Sequence, residues 1–144
     1  MKTYIFKINL LRSPKISREI EIPANINLYK LAEAIVGAYN FYFDHCFGFF
    51  SKIADYDYFD SPRKYELFTD LIEEGQDLEL TGAGSVKKTK ISEVWQNVGD
   101  KMMFLFDYGD DWQFVVELIG FGERKPKQKY PCILRKVGSA PKQY

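Results

Sequence analysis

The chain has 144 residues, of which 46% are apolar and 17% aromatic, enough to bury one packed core and to exclude a disordered segment. Lys plus Arg equals Asp plus Glu at 20 each, so no net positive field argues for nucleic acid. No apolar run approaches the roughly 20 residues of a membrane span, so no membrane partner is expected.

Met1 leads straight into an alternating strand with no signal peptide, which makes the cytoplasm the expected compartment. Residues 4–11 alternate, and Ile16, Arg18, Ile20 and Ile22 alternate with Ser17, Glu19 and Glu21. The turn Arg12-Ser-Pro-Lys15 between them predicts an antiparallel hairpin, which Pro23 ends. Asn27 is the expected cap of a helix from Leu28 to about Tyr39. Leu28, Leu31, Ala32, Ile35, Val36 and Tyr39 form its apolar stripe. Residues 45–51 read as a third strand.

Residues 55–62 read as a loop. Ser61 followed by Pro62 predicts a helix opening, with Tyr65, Leu67, Phe68, Leu71 and Ile72 on its apolar face and Gly75 at its end. The segment from 63 to 72 is also compatible with partly extended chain. Gly82-Ala-Gly-Ser85 reads as a flexible connection, and Thr89 as the cap of a short helix through Trp95, closed near Gly99. From Glu123 onward Lys, Pro and Gln dominate, as in a peripheral arm. No domain linker interrupts residues 1–144.

Residues 104–118 carry the strongest fold signal. Met102, Phe104 and Phe106 alternate with Met103 and Leu105, and Trp112, Phe114, Val116 and Leu118 alternate with Gln113, Val115 and Glu117. Between them Asp107 to Asp111 supplies a turn, in which Gly109 is expected at positive φ. Both faces of the first arm are apolar, which predicts a central strand covered on both sides. The core is expected from Phe6, Ile8, Ile20, Ile22, Phe104, Phe106, Phe114 and Val116 under Leu31 and Ile35.

Chemistry-bearing residues are sparse. Asp107, Asp110 and Asp111 would offer oxygen ligands to a hard cation, against the reading of a solvated turn. Asp55, Asp57 and Asp60, with Glu66 at the twelfth position, echo a calcium loop, but Phe59 and Asp60 occupy positions where that loop needs a ligand and Gly. His45 is the sole histidine and has no CxxC pair to join it, so zinc is not expected. Cys46 and Cys132 are expected as buried free thiols. Residues 82–88 lack the spacing of a phosphate loop. Lys87, Lys88 and Lys90, and later Arg124, Lys125, Lys127 and Lys129, would touch phosphates or face solvent. Trp112 is expected to pack on the sheet edge, with its N–H bonded to Asp107 or a backbone carbonyl. No catalytic constellation and no cofactor is expected.

The openings "YIFKINL" and "ISREIEIPANINLYKLAEAIVGAYNF", then "VKKTKISEVW", "FLFDYGDDWQFVVEL" and "YPCIL…VGSAP", together resemble the plasmid pRiA4b open-reading-frame-three-like family over nearly the whole chain. The most specific motif is Phe106-Asp-Tyr-Gly-Asp-Asp-Trp112. The resemblance implies an α+β domain with a mixed, mostly antiparallel, roll-like sheet packed on two or three helices. It implies no established activity. Some family members are labelled resolvase-like passengers of insertion elements. A serine recombinase would need a nucleophilic Ser beside several Arg, whereas the five Arg here are scattered at 12, 18, 63, 124 and 135. Gln113 stands where the family often has Arg or His. The sequence ends at Ala140-Pro-Lys-Gln-Tyr144 where many members continue, so a function housed there is expected to be missing or altered.

The leading expectation is a non-enzymatic intracellular binding or accessory module whose partner is unknown, a protein being the candidate. Tyr42, Phe43, Tyr56, Tyr58 and Phe59 in expected loops would serve a partner, or else form a satellite core. A nucleic-acid-associated accessory of plasmids or mobile elements, and a metal-dependent enzyme using Asp107, Asp110 and Asp111, are the alternatives. Tight binding to duplex DNA is not expected.

Overall fold

The structure, a computed structural model, describes residues 1–75 and 82–144. Strands β1 (Lys2–Leu10) and β2 (Ser17–Pro23) form the expected hairpin, and α1 (Leu28–Ala38) follows. β3 (Phe47–Phe50), β4 (Lys64–Glu66), α2 (Leu67–Glu73), β5 (Gly84–Ser85) and α3 (Ile91–Val94) come next. The long hairpin β6 (Lys101–Phe106) and β7 (Trp112–Glu123) precedes β8 (Cys132–Val137). The strands make one eight-stranded sheet in the order β5-β4-β3-β6-β7-β1-β2-β8. Every neighbouring pair is antiparallel except β4 with β5, so the sheet is mixed and the fold is α+β.

Period-two alternation fixes which face is buried. Phe6, Ile8, Ile20, Phe104, Phe106, Phe114 and Val116 are fully buried on one face, and Ile22 nearly so, beneath Leu31 and Ile35 of α1. Asn27 caps α1 by accepting from the Lys30 backbone N–H at 2.9 Å, which satisfies one orphan donor of the first turn. The hydroxyl of Tyr39, just past the helix, donates to the Ile8 carbonyl at 2.8 Å and so ties α1 to β1.

Trp95, expected only as the end of a short helix, lies fully buried in the core. It donates to the Val116 carbonyl at 3.1 Å and meets Phe6 edge-on at 5.0 Å. The opposite face carries a fully buried apolar cluster over β3 and β6. There Phe50, Met103 and Leu105 are covered by Tyr58 and Tyr108, so β6 is buried on both sides as its composition predicts. Farther along that face a register row alternates in charge: Lys101, Glu117, Lys7, Glu19 and Arg135 sit on successive strands. Opposite charges directly across a ladder support the pairing, and this half of the sheet faces solvent.

Four local expectations are corrected. Ser61 does not cap a helix. Its backbone is extended, its hydroxyl accepts from the Lys52 N–H at 2.9 Å, and residues 64–66 pair with β3 before α2 begins at Leu67. The residue before Pro62 is pushed away from helical torsions, and pairing with β3 then extends the chain. The cap of α3 is Lys90, not Thr89, with the Lys90 N–H donating to Glu93 Oε2 at 2.6 Å. Gly84 and Ser85 form the parallel edge strand β5 rather than a free connection. The segment beyond Glu123, expected as an arm, turns at a cis Tyr130–Pro131 bond and supplies the edge strand β8, which is itself mostly exposed.

Candidate functional site

The acidic turn is built by Asp107 itself. Its Oδ1 accepts from the N–H groups of Gly109 and Asp110 at 3.1 and 3.2 Å, the self-bonding that lets Asp tolerate a left-handed backbone. Asp107 and Asp111 therefore take the positive φ values, +65° and +60°, and Gly109 does not, contrary to expectation. The three carboxylates face different partners. Asp107 Oδ2 lies 3.3 Å from His45 Nε2, Asp111 Oδ2 accepts from Arg12 Nη2 at 2.9 Å, and Asp110 is exposed. Asp55 Oδ1 also accepts from Arg12, at 3.1 Å, and these two carboxylates hold the guanidinium above its ordinary pKa. Among the described residues no group of three His, Cys, Asp or Glu is placed to hold a metal ion.

His45 is bound into a clasp with the last residues of the sequence. Its Nε2 lies 2.7 Å from the Tyr144 hydroxyl, which donates to Asp44 Oδ2 at 2.8 Å and is pushed up to about 12 by that carboxylate. The Gln143 side chain accepts from the Tyr42 N–H at 2.7 Å and donates to its carbonyl at 3.1 Å, as a backbone bridge would. Neither cysteine is fully buried: Cys46 and Cys132 are half-buried free thiols. Burial, and next the charge of Glu66, push the Cys46 thiol up, away from the thiolate a nucleophile needs.

Trp112 is half-buried at the start of β7. Its ring packs on Phe41 at 4.9 Å, but its N–H is buried and meets neither Asp107 nor a carbonyl among the described residues. Beside it Gln113 is buried, with its amide donating to Asp111 and to the Asp55 carbonyl. Two carboxylates are buried that the sequence does not mark as such: Glu66 enters only as the last position of a calcium-loop echo, and Asp70 is not singled out. Glu66 is fully buried and accepts a hydrogen bond from the Tyr108 hydroxyl. Asp70, the one buried residue of α2, accepts from Ser85 Oγ at 2.5 Å and from the Val86 N–H at 3.0 Å, fastening α2 to β5. No spacing pattern marks either residue as buried, since their partners lie 42 and 15 residues away.

The expected basic runs behave differently from one another. Lys87 and Lys88 are tied to Glu74 and Glu73, each at 2.8 Å. Residues 124–144 hold seven Lys or Arg and no Asp or Glu. Since the whole chain sums to zero, residues 1–123 carry a formal −7 against the +7 of this final segment. The loop aromatics divide: Tyr42 and Tyr56 are 75% and 79% exposed, while Phe43 and Tyr58 pack on the two apolar clusters.

A groove of about 590 Å³, which no sequence pattern announced, opens beside α1. Its floor is Ile20 and Ile22 of β2, its walls are the Ala34, Gly37 and Ala38 side of α1 and Ile133 of β8, and Lys30, Glu33 and Arg124 also line it. Small residues on α1 leave the space open, and a Cβ placed on Gly37 would meet nothing within 4 Å.

This assembly defines the chain as a single α+β domain with a helix-covered mixed sheet. A solved protein of unknown function from Methanosarcina mazei Go1, MM3350, has the same fold: the TM-score is 0.73 at 23% identity, over 97% of this chain and 71% of that one. The chain belongs to the plasmid pRiA4b ORF-3-like family, whose model matches residues 2–143. No curated protein matches it. Among the described residues no helix is long and apolar enough to cross a membrane.

Proposed function

We propose that the chain is a non-enzymatic binding or accessory module, acting in the cytoplasm, that holds a partner protein on the face formed by α1, β2 and β8. The observation that carries this reading is the 590 Å³ groove, whose floor and walls are chiefly apolar and whose charged groups are few. The Cys46 thiol and Tyr108 phenol, by contrast, are held in their neutral forms by burial and by Glu66, which suits packing rather than chemistry.

The test compares the wild type with Gly37→Leu, which fills the groove at a position with open space. Affinity capture from native lysate, identifying both protein and nucleic acid, is expected to recover a protein partner that the variant loses while its melting temperature holds or rises. Capture unchanged by the variant would overturn the assignment to this face.

A second reading, a nucleic-acid-associated accessory, draws support from the family's plasmid origin and from the +7 segment. Phosphate contacts from so few cations give weak binding near physiological salt. A fluorescence anisotropy titration with duplex DNA at about 150 mM salt is expected to show no saturable complex below micromolar protein. Nanomolar affinity there would put this reading first.

A further inference from the structure

Three features meet at the β8 end of the sheet. First, β8 is the terminal strand, so among the described residues one row of its backbone N–H and C=O groups has no neighbouring strand. Such an edge is a template for another extended chain. Second, Ile133, Leu134 and Val137 on this strand are 41%, 47% and 37% exposed, and Ile133 also walls the apolar groove. Third, the strand carries Arg135 and Lys136 and is led in by Arg124, Lys125, Lys127 and Lys129, in a segment without a single acid.

These features select among occupants. A second copy pairing antiparallel on the same edge would bring the two Arg135-Lys136 pairs against each other, and like charges directly opposite are destabilising. The register shift between Glu19 and Ile20 leaves Leu134 without a partner on β2, and such a bulge with flanking cations is a known guard against self-pairing. Nucleic acid would satisfy the cations but not the unpaired backbone row or the exposed Ile133 and Leu134. An extended peptide satisfies all three: its backbone pairs with β8, its apolar side chains lie along Ile133 and the groove, and its acids, on the other face of the strand, meet Arg135 and the Lys125 region.

Resting on the binding-module reading above, the geometry points to a specific ligand class: an extended segment of a partner protein, alternating acidic and apolar residues, which adds as a ninth strand beside β8. Main-chain hydrogen bonds supply affinity in this mode, and pockets for alternate side chains supply specificity. The acids steer the encounter and make it salt-sensitive.

The experiment selects from a displayed library of unstructured ten-residue peptides on the intact protein. The best recovered peptide is then titrated into isotope-labelled protein and followed by amide shifts. Recovered peptides are expected to be rich in Asp and Glu alternating with apolar residues, and to perturb the amides of 132–137 together with 34–38. A Lys125→Glu, Arg135→Gln variant should weaken binding at least tenfold at unchanged melting temperature. The Arg135 side chain is 69% exposed and 3.9 Å from Glu19, so its neutralisation does not strain the fold.

A library that yields no binder, or only basic or uncharged ones, overturns the inference. Shifts confined to 34–38, with the β8 amides unmoved, would overturn strand addition and leave the groove-binding module standing. Peptide binding at β8 that persists in Gly37→Leu, together with partner capture that also persists, would overturn the groove reading and leave the strand edge. Displacement of the peptide by a DNA oligonucleotide at lower concentration would overturn both in favour of nucleic acid.

Discussion

Tyr108 and Glu66 meet over the bare backbone of Gly48: the phenol, set by the acidic turn, donates to the carboxylate of β4 where β3 pairs with it. This bond joins the turn between β6 and β7 to the outer strands of the sheet. Tyr108→Phe removes the donor and leaves a fully buried carboxyl without its hydrogen bond, a loss of about 1–3 kcal/mol. Urea unfolding of the variant should show that loss. A change below about 0.5 kcal/mol, the scale of surface substitutions, would mean the carboxyl finds another partner.

Gly48 is required by that meeting. A Cβ there would stand 2.9 Å from the Tyr108 hydroxyl oxygen, 2.9 Å from the Phe50 ring and 3.0 Å from Glu66 Cγ. Gly48→Ala is expected to cost about 1–3 kcal/mol through overpacking. Combined with Tyr108→Phe it should cost less than the sum, because one of the clashing atoms is gone. Strict additivity in the double-mutant cycle would contradict this geometry.

Phe106→Ala tests the other face of the sheet. Phe106 is fully buried, stacked on Phe43 and Phe104, and its loss should cost about 3–5 kcal/mol. A loss under 1 kcal/mol in chemical denaturation would place the ring outside the core.

Alkaline stability follows from two phenols. Burial raises Tyr39 to about 12, and burial followed by Glu66 raises Tyr108 above its ordinary value of 10.0. A raised folded-state pKa means the native form holds the proton longer than the unfolded chain. The stabilisation is therefore complete below pH 10 and declines as pH rises through 10 towards 12 and beyond. Melting temperature should fall over that window, and less steeply in Tyr39→Phe and Tyr108→Phe. Equal slopes in all three proteins would contradict the assignment.

The acidic turn makes a prediction about metal removal. Asp107 is occupied with its own turn and His45, and Asp111 with Arg12, so neither waits for a cation. Dialysis against a chelator is expected to leave the melting temperature unchanged. A drop of several degrees, reversed by one divalent ion, would instead assign metal binding to Asp107, Asp110 and Asp111.

Elements that bury a regular stripe were legible in the sequence. The β1–β2 and β6–β7 hairpins and α1 carry their period in every residue, and Asn27 announces its helix by its own side chain. Legibility failed where a distant partner decided the outcome. Residues 64–66 follow a proper helix signal at Ser61-Pro62, yet β3 captured them as a strand. Gly84 and Ser85 look like a linker until β4 lies beside them. Trp112 carries the recognisable motif, but Trp95, with no motif around it, fills the core.

By itself, then, the sequence determined the fold class, the buried faces and the turn between β6 and β7, because each follows from turn residues adjacent in the chain or from a local alternation of apolar side chains, and it marked the family through segments spread over nearly its whole length. Tertiary structure decided what those residues cannot reach alone. It buried Glu66 under a phenol 42 residues away, turned the three carboxylates of the acidic turn towards different partners, and set β8 beside β2 so that a groove opened against α1. The physical reason is that side-chain period encodes which face is buried, whereas charge pairing, orphan strand edges and open volume arise only when segments far apart in the chain are brought into contact.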